Sequence, residues 1–538
     1  MNLKDLFWFK EPAANTEFKI EEEKRKTDYD VREEREAEKD FYVTENYDEN
    51  LSYIKRRFSV PMNNDVIIRE IKIGKNRKCF VVFIEGMVNT SFVDEAVVKP
   101  LLLLPYLRNE ELYKYEDEIS ERFISRCQAM PTDSMNKIIE EINFGSCGVF
   151  VDGLNKGFAL DVRTWEHRSI TKPENEQSIY GPQEAFAEML RSNSALVRKI
   201  IKTEKLIAEG VKIGNISKTR GVLMYISDIA NENLVNEVRR RINGIDMDYV
   251  MSVEEVELML EEKTFMATTQ LFATERPDRA ARALTQGRVV LILNGSPRAL
   301  VFPSNIFEMT HSPSDDYLRV PYANMARVIR LFAMFVSILL PALYLAVTLY
   351  HHEIVPTYLL YSISASRENV PFPSLVELLL MDLSFEMIRE AGIRMPGPIG
   401  STLGIVGGLI LGQAAVSAKI VSPIMIIIIA ITGIGSFATP DYSLGWTYRI
   451  LRLIFIFLAA LFGFYGIAVG IFIYSLYLGA QKSFGVPVLS PLPKSGSRSM
   501  SNSIFVNPIW KREKRPSYLA PKSYDEEPVV SRKWKIDK

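Results

Sequence analysis

A stripe of charged side chains interrupts an otherwise apolar stretch that runs from Pro371 to Pro396. At about 100° per residue, Asp382, Glu386, Arg389 and Glu390 fall within about a third of a helical wheel, and apolar residues occupy much of the rest. A charge at the centre of a bilayer costs roughly 2.5 to 3.5 kcal/mol, so such a stripe must face water or an opposite charge. The pattern therefore predicts either a helix that lines a water-filled lumen or a helix in the membrane interface with its charges outward.

The sequence contains no motif typical of catalysis. It has no GxxxxGK[ST] phosphate loop, no GxSxG elbow, no HExxH and no cluster of metal ligands. Three cysteines without a CxxC argue against a disulfide framework or a zinc site. Basic residues are scattered and lack the interleaved aromatic residues of a nucleic-acid surface. We therefore expect a protein that is not an enzyme, uses no metal or cofactor and binds no nucleic acid.

Four apolar runs follow residue 330 and are long enough to suggest membrane helices. Twenty helical residues cover about 30 Å, the thickness of the hydrocarbon layer of a bilayer. Arg327 and Arg330 directly precede the first run, which predicts that the region before it lies on the cytoplasmic side. The runs are Leu331 to Tyr350, about Ile399 to Ala418, Val421 to Phe437, and Leu453 to Gly479.

The number of spans depends on whether the charged stretch also crosses the membrane. If it crosses, the count is five, Arg389, Arg394, Arg449 and Arg452 lie on the inner side, and the basic C-terminal tail lies outside. If it does not cross, the count is four and the tail lies inside, but Arg449 and Arg452 move outside. Neither alternative satisfies the positive-inside rule everywhere.

The second apolar run carries glycines at a spacing of four, Gly400, Gly404, Gly408 and Gly412. This spacing places all four on one face of a helix, where backbones can approach closely. The face predicts helix packing, either within the chain or between several copies around an axis.

The region before the first run contains two stretches that match at an offset of 142 residues. Val81 to Ile84 form a strand-like run that corresponds to Leu223 to Ile226. Phe150 to Gly153 correspond to Ile292 to Gly295, where Asp-Gly and Asn-Gly suit tight turns. The offset predicts an internal duplication, with two related α/β subdomains at about 51 to 165 and 190 to 318.

The predicted fold class is therefore mixed, α+β then all-α: an N-terminal soluble module of two related α/β subdomains precedes a transmembrane helical domain. The ends of the chain carry opposite charge, since the first fifty residues hold 16 Asp/Glu against 9 Lys/Arg and the last 45 hold 11 Lys/Arg against 5 Asp/Glu. The predicted boundaries are 1–50 for a charged tail, 51–165 and 166–318 for the subdomains, 319–482 for the transmembrane domain and 483–538 for a basic tail.

Several segments, taken in order and spacing, resemble the A-subunit family of GerA-type spore germinant receptors. The resemblance extends from about Ile67 to Pro491. Its segments are TERPDRAARAL (Thr274 to Leu284), LPALYLAVTLYHHEIVPT (Leu340 to Thr357), ASRENVPFPSLVELLLMDLSFEMIREAGIRMP (Ala365 to Pro396), GGLILGQAAVSAKIVSP (Gly407 to Pro423) and SFGVPVLSP (Ser483 to Pro491).

The resemblance implies a multi-pass subunit of the spore inner membrane that acts with a transporter-like B subunit, which binds the nutrient, and a lipoprotein C subunit. It also implies a homo-oligomeric ring around an ion path, which selects the lumen interpretation of the charged stripe. Carried onto this chain, and together with Arg389 of the stripe, the candidates for pore or gating positions are Glu377, Asp382, Glu386, Glu390 and Arg394.

The function expected from this resemblance is a nutrient-gated channel for monovalent cations, since rings of carboxylates favour cations. A secondary transporter is an alternative that predicts inverted repeats in the membrane half, and the sequence shows no such repeat. A non-conducting scaffold for the other receptor subunits is a second alternative.

Overall fold

The computed structural model describes residues 18–21, 41–73, 77–103, 128–163, 172–262, 268–394, 408, 410–491, 504–512 and 514–526, with only the backbone at 393–394. Its strands and helices divide at residue 320 into an α/β module and a helical bundle. The strands are β1 Val66–Ile73, β2 Arg77–Ile84, β3 Ala129–Thr132, β4 Cys147–Val151, β5 Gly157–Leu160, β6 Leu206–Ile213, β7 Thr219–Ile226, β8 Phe272–Thr274, β9 Val289–Leu293, β10 Ala299–Phe302, β11 Lys482–Ser483 and β12 Val486–Pro487.

Helices of the module cover both faces of its sheets. They are α1 Tyr47–Arg57, α2 Thr90–Val93, a π-helical turn Asp94–Val98, α3 Lys99–Leu102, α4 Met135–Asn143, α5 Leu190–Ile200, α6 Glu232–Asn243, α7 Val253–Leu260, α8 Pro277–Thr285, α9 Ile306–Thr310 and a 3-10 turn Pro313–Asp316. The remaining helices are α10 Val320–Leu349, a 3-10 turn His352–Ile354, α11 Thr357–Arg367, α12 Ser374–Arg394, α13 Pro423–Phe437, α14 Tyr442–Ala480, and 3-10 turns Ile509–Lys511 and Ser517–Leu519.

The two five-stranded antiparallel sheets have the same strand order, β1-β2-β4-β5-β3 and β6-β7-β9-β10-β8. Val82 lies opposite Gly148 in the first sheet and Met224 lies opposite Val290 in the second, so both partners are displaced by 142 residues. The first strands depart from this offset by two residues, because three residues join β1 to β2 and five join β6 to β7. The offset seen in the sequence therefore also relates the pairing of the two sheets.

The central strands β4 and β9 are apolar and buried along their whole length. This pattern is typical of strands that are covered on both faces. In the first sheet, Val81 and Phe83 pack toward the π-helical turn, and Phe80 and Val82 pack toward α1 and α4. Each sheet thus has two apolar cores, one on each face.

A buried ion pair joins the two subdomains. The guanidinium of Arg198 on α5 donates two hydrogen bonds to the Asp65 carboxylate, at 2.6 and 2.7 Å, and the Arg198 side chain is 2% exposed. Arg198 also donates to the Asn63 side chain, whose amide oxygen accepts from the Ala208 backbone. The pair therefore fixes the start of β1 against β6.

We expect Asp65→Ala to lower the free energy of unfolding by about 3 to 5 kcal/mol, because it leaves Arg198 buried without its counter-charge. The measurement is thermal unfolding of the purified full chain. Lys55→Ala is the matched control: it removes an ion pair with Glu70 whose side chains are 42% and 53% exposed, and should cost about 0 to 1 kcal/mol. Equal effects of the two substitutions would contradict a structural role for the buried pair.

Two helices of the described residues, α10 and α14, are long and apolar enough to cross a membrane. α13 is apolar but has only 15 residues, so the run predicted over Val421 to Phe437 forms a shorter helix. The run predicted from Ile399 to Ala418 lies largely outside the described residues. Within it, residues 410–417 are helical.

The last predicted run, Leu453 to Gly479, is not one continuous helix. Gly463 has φ +59° and ψ −139°, which breaks α14 into an arm of residues 442–462 (α14a) and an arm of residues 464–480 (α14b). A methyl group on Gly466 would lie 2.2 Å from the Leu458 carbonyl oxygen, and one on Gly470 would lie 2.8 Å from the Phe455 ring. The arms therefore fold back on each other as a hairpin, and glycines permit their close approach.

Contacts between helices define two ends of the bundle. At the end beside the module, called the near end, Arg330 of α10 binds Asp315 of the module, and the backbone of Ala333 lies against Gly435. At the opposite or far end, the Tyr350 hydroxyl donates to the carbonyl oxygens of Ala460 and Leu461, which the break at Gly463 leaves without helical partners. Helix α10 therefore runs from the near end to the far end, as α14a does.

Helices α12, α13 and α14b run in the opposite direction. Glu377 at the start of α12 contacts Ser422 at the start of α13, and Arg389 near the end of α12 contacts Ser436 near the end of α13. After α14b the chain returns to the module, where Ser304 donates to the Ser483 hydroxyl. Both arms of the hairpin therefore begin or end beside the module.

The C-terminal segment 504–526 packs on the second subdomain and on the start of α10. The Val506 backbone donates to Asn324 of α10, at 2.6 Å. The Tyr518 hydroxyl accepts from Arg288 and from Asn305, at 3.0 and 2.9 Å. This segment and the N-terminal module are therefore in direct contact at the near end.

Candidate functional site

The charged stripe predicted from the sequence lies on α12, and part of it is buried inside the chain's own helical bundle. Asp382 is 3% exposed and Glu377 is 1% exposed. In this conformation neither carboxylate lines an open lumen or lies outward at an interface, so the structure differs from both sequence-based alternatives at these two positions. Intramolecular partners replace the expected water.

Arg452 of α14a is the central partner of the stripe. Its guanidinium lies 3.0 Å from the Asp382 carboxylate and 2.7 Å from the Glu386 carboxylate, and its side chain is 1% exposed. Asp382 and Glu386 are four residues apart on one helix face, so one guanidinium between the helices can bridge both. This bridge holds α12 against α14a.

Glu386 also binds two other arginines on its more exposed side. Arg389 donates to the Glu386 carboxylate at 2.5 Å and to the Ser436 hydroxyl of α13 at 3.1 Å. Arg449 lies 3.8 Å from the same carboxylate, and its guanidinium lies over the Trp446 ring. The cluster of Asp382, Glu386, Arg389, Arg449 and Arg452, called the charged cluster below, therefore connects α12, α13 and α14a.

Glu377 forms a separate contact one to two turns away. Its carboxylate accepts hydrogen bonds from the backbone N–H and the hydroxyl of Ser422, both at 2.5 Å, and lies 3.8 Å from Arg367. The Ser422 hydroxyl in turn accepts from the Met425 N–H and caps α13. A carboxylate at this position also lies at the positive end of the helix dipole. Glu377 thus fixes the start of α13 to the start of α12.

The charged cluster is incompletely satisfied. It holds two carboxylates and three guanidinium groups, and the Nε and Nη1 groups of Arg452 are buried without a hydrogen-bond partner among the described residues. Buried polar networks are strongly stabilising when fully paired and costly when they are not. This arrangement therefore suits an element that changes its pairing between two states.

The other predicted positions lie differently. Glu390 is exposed, on the turn after the charged cluster. The Arg394 side chain, Gly400 and Gly404 lie outside the described residues. Among described neighbours, a methyl group on Gly408 would meet nothing within 4 Å, and one on Gly412 would lie 3.8 Å from Ile426. The close packing expected of these glycines is therefore not made within the described chain, and a role between copies stays a prediction.

Sequence reasoning missed the partners of the stripe. Arg449 and Arg452 entered it only as markers of membrane orientation, and Ser422 and Arg367 did not enter it at all. The available signal was the position of Arg452 directly before an apolar run, where a buried cation requires an anion. Among the described residues no group of three or more His, Cys, Asp or Glu side chains is placed to hold a metal ion.

Comparison with known proteins identifies relatives over most of the chain. A family model described as Bacillus/Clostridium GerA spore germination protein matches residues 52–518. Spore germination protein KA of Bacillus subtilis (strain 168) is 36% identical over 489 residues, which cover 90% of this chain and 89% of that protein. Spore germination protein GerLA of Bacillus cereus is 34% identical over 460 residues, 85% of this chain and 93% of that protein.

One solved structure is also similar in part. It is the crystal structure of the N-terminal domain of the A subunit of the Bacillus megaterium spore germinant receptor GerK3. It is 28% identical, covers 48% of this chain and 95% of that chain, and aligns with a TM-score of 0.37.

Proposed function

Because the chain belongs to the Bacillus/Clostridium GerA spore germination protein family, we propose that it is the A subunit of a nutrient-gated receptor in which several copies surround an ion path. Monovalent cations leave the dormant spore along this path when a transporter-like B subunit binds the nutrient, with a lipoprotein C subunit completing the receptor. The observation that carries the proposal is the charged cluster, which places two carboxylates inside a bundle that contains helices of membrane-spanning length.

In the proposed mechanism the described conformation is the closed state. Asp382 and Glu386 are neutralised by Arg452, so they do not attract a cation. Separation of α12 from α14a exposes both carboxylates to water, and a ring of such carboxylates concentrates cations. The charged cluster acts as the gate, and Glu390 on the exposed turn of α12 lies at the cytoplasmic mouth.

The proposed membrane topology has six crossings. Five are α10, α12, α13 and the two arms of α14, and the sixth is the chain between residue 394 at the near end and Lys419, which contacts Asn369 at the far end. An even number agrees with the contact between the C-terminal segment and the module, whereas an odd number would separate them. Arg327, Arg330, Arg389 and Arg452 all lie toward the near end, which supports a cytoplasmic module and tail.

We expect Glu390→Gln to lower the potassium-to-chloride permeability ratio severalfold, because it removes one negative charge per copy from the mouth of the path. The measurement is single-channel recording of the purified chain in planar bilayers, combined with the oligomer mass in detergent. Glu353→Gln is the control, since Glu353 is exposed at the far end after α10. Monomeric protein, or recordings without cation-selective openings, would contradict the channel and leave the scaffold alternative. An unchanged ratio would contradict the role of Glu390.

A further inference from the structure

A basic cavity of about 840 Å³ lies where α8, the first turns of α10 and the C-terminal segment 504–526 meet. Among the described residues, its walls carry seven Lys or Arg side chains and three carboxylates. One of these carboxylates, Glu308, forms a two-pronged ion pair with Arg288, a residue that does not line the cavity. The volume lies in the range of small-ligand sites, about 300 to 1,000 Å³.

The carboxylates near the cavity are shared between cations. Asp316 pairs with Arg282 of α8 and lies 3.4 Å from Arg512 of the C-terminal segment. Asp315 pairs with both Arg327 and Arg330 of α10, at 3.1 and 2.9 Å. Four guanidinium groups thus share two carboxylates, which leaves positive charge in excess around the cavity.

Arg282 shows the effect of this excess. Burial against the cavity walls, followed by repulsion from Arg512, lowers the pKa of Arg282 to about 10. Its side chain is nevertheless 38% accessible, and Arg282 lines the cavity. A guanidinium that has lost hydration but keeps a free path from the cavity gains most from a bound anion.

We propose that this cavity binds a phosphate-bearing anion, with Arg282 and Arg512 as direct ligands and Lys511 and Lys514 at the mouth. Guanidinium groups donate in a planar fork that matches two phosphate oxygens, and lysines add point charges. Lys511 and Lys514 are exposed. The ligand would contact α8 and the C-terminal segment together and so fasten the segment to the module.

The position of the cavity favours the headgroup of an anionic phospholipid over a soluble phosphate. Arg327 lines the cavity and precedes by one turn the apolar run that begins at Leu331. The cavity therefore lies at the depth where headgroups meet the first turns of α10, on the side where anionic lipids attract basic segments. This inference is independent of ion conduction, because it rests on the cavity alone.

The test uses the purified full chain in detergent with two probes. Native mass spectrometry measures retention of phosphatidylglycerol against phosphatidylcholine, and calorimetric titration measures binding of inorganic phosphate. We expect retention of phosphatidylglycerol in preference to phosphatidylcholine. Arg282→Gln/Arg512→Gln should reduce it roughly tenfold or more, since hydrogen bonds to charged groups are removed. Lys511→Gln/Lys514→Gln changes only exposed side chains and should reduce it severalfold without unfolding the chain.

Lys137→Gln/Lys212→Gln is the matched control, because it removes the same charge from exposed positions on the module. Saturable binding of inorganic phosphate that the two cavity variants weaken would support the site with a soluble ligand in place of a lipid. Equal retention of both lipids with no phosphate binding, or equal losses in the cavity and control variants, would overturn the proposal.

Discussion

Replacing Arg452 with Gln is expected to open the potassium path without a nutrient and to destabilise the chain. The substitution leaves Asp382 and Glu386 without their shared counter-charge, and removing one partner of a buried ion pair costs about 3 to 5 kcal/mol. The carboxylates regain hydration if α12 moves away from α14a, which is the proposed opening movement. Potassium efflux from proteoliposomes should therefore rise, and the unfolding temperature should fall.

The rescue variant separates gating from simple damage. Asp382→Asn/Arg452→Gln removes one charge of each sign and keeps groups that can hydrogen-bond across the same interface, so efflux and stability should both return toward those of the unmodified chain. Glu353→Gln, at an exposed position far from the charged cluster, should change neither. If Arg452→Gln lowers stability while efflux stays at the level of the unmodified chain, the charged cluster is structural and the gate lies elsewhere.

The repeated module could be predicted from the sequence because β-pairing preserves the spacing of the chain. The strand-like run Val81 to Ile84 and its counterpart Leu223 to Ile226 occupy the same place in two sheets with one strand order. The family resemblance is confirmed by matches over most of the chain. Local apolar patterns and their order suffice for these conclusions.

The partners of the charged stripe could not be predicted in the same way. Asp382 and Arg452 are seventy residues apart, and their contact depends on how α14a is oriented beside α12. That orientation depends in turn on the break at Gly463, which an uncharged run of 27 residues conceals. The sequence shows the carboxylates as a stripe that needs water or a counter-charge, and only the packing of the helices decides between the two.

The hairpin of α14 gives the second large expected effect. Gly466→Ala should destabilise the chain by about 1 to 3 kcal/mol or more, because the added methyl group would lie 2.2 Å from the Leu458 carbonyl oxygen and 2.8 Å from its carbon. These are backbone atoms of the opposite arm, so no side-chain rotation relieves the overlap. Thermal unfolding of the purified chain measures the loss.

Two other glycines of the same helix are matched controls. Among described neighbours, a methyl group on Gly445 or Gly479 would meet nothing within 4 Å, so alanine there should be neutral or raise stability by up to about 1 kcal/mol through its higher helix propensity. The same substitution thus has opposite expected signs within one helix. A continuous helix through Gly463 would instead place Gly466 far from Leu458 on the helix surface, and alanine would then stabilise all three positions. A gain in stability from Gly466→Ala would therefore exclude the hairpin, and with it the return of the C-terminal segment to the side of the module.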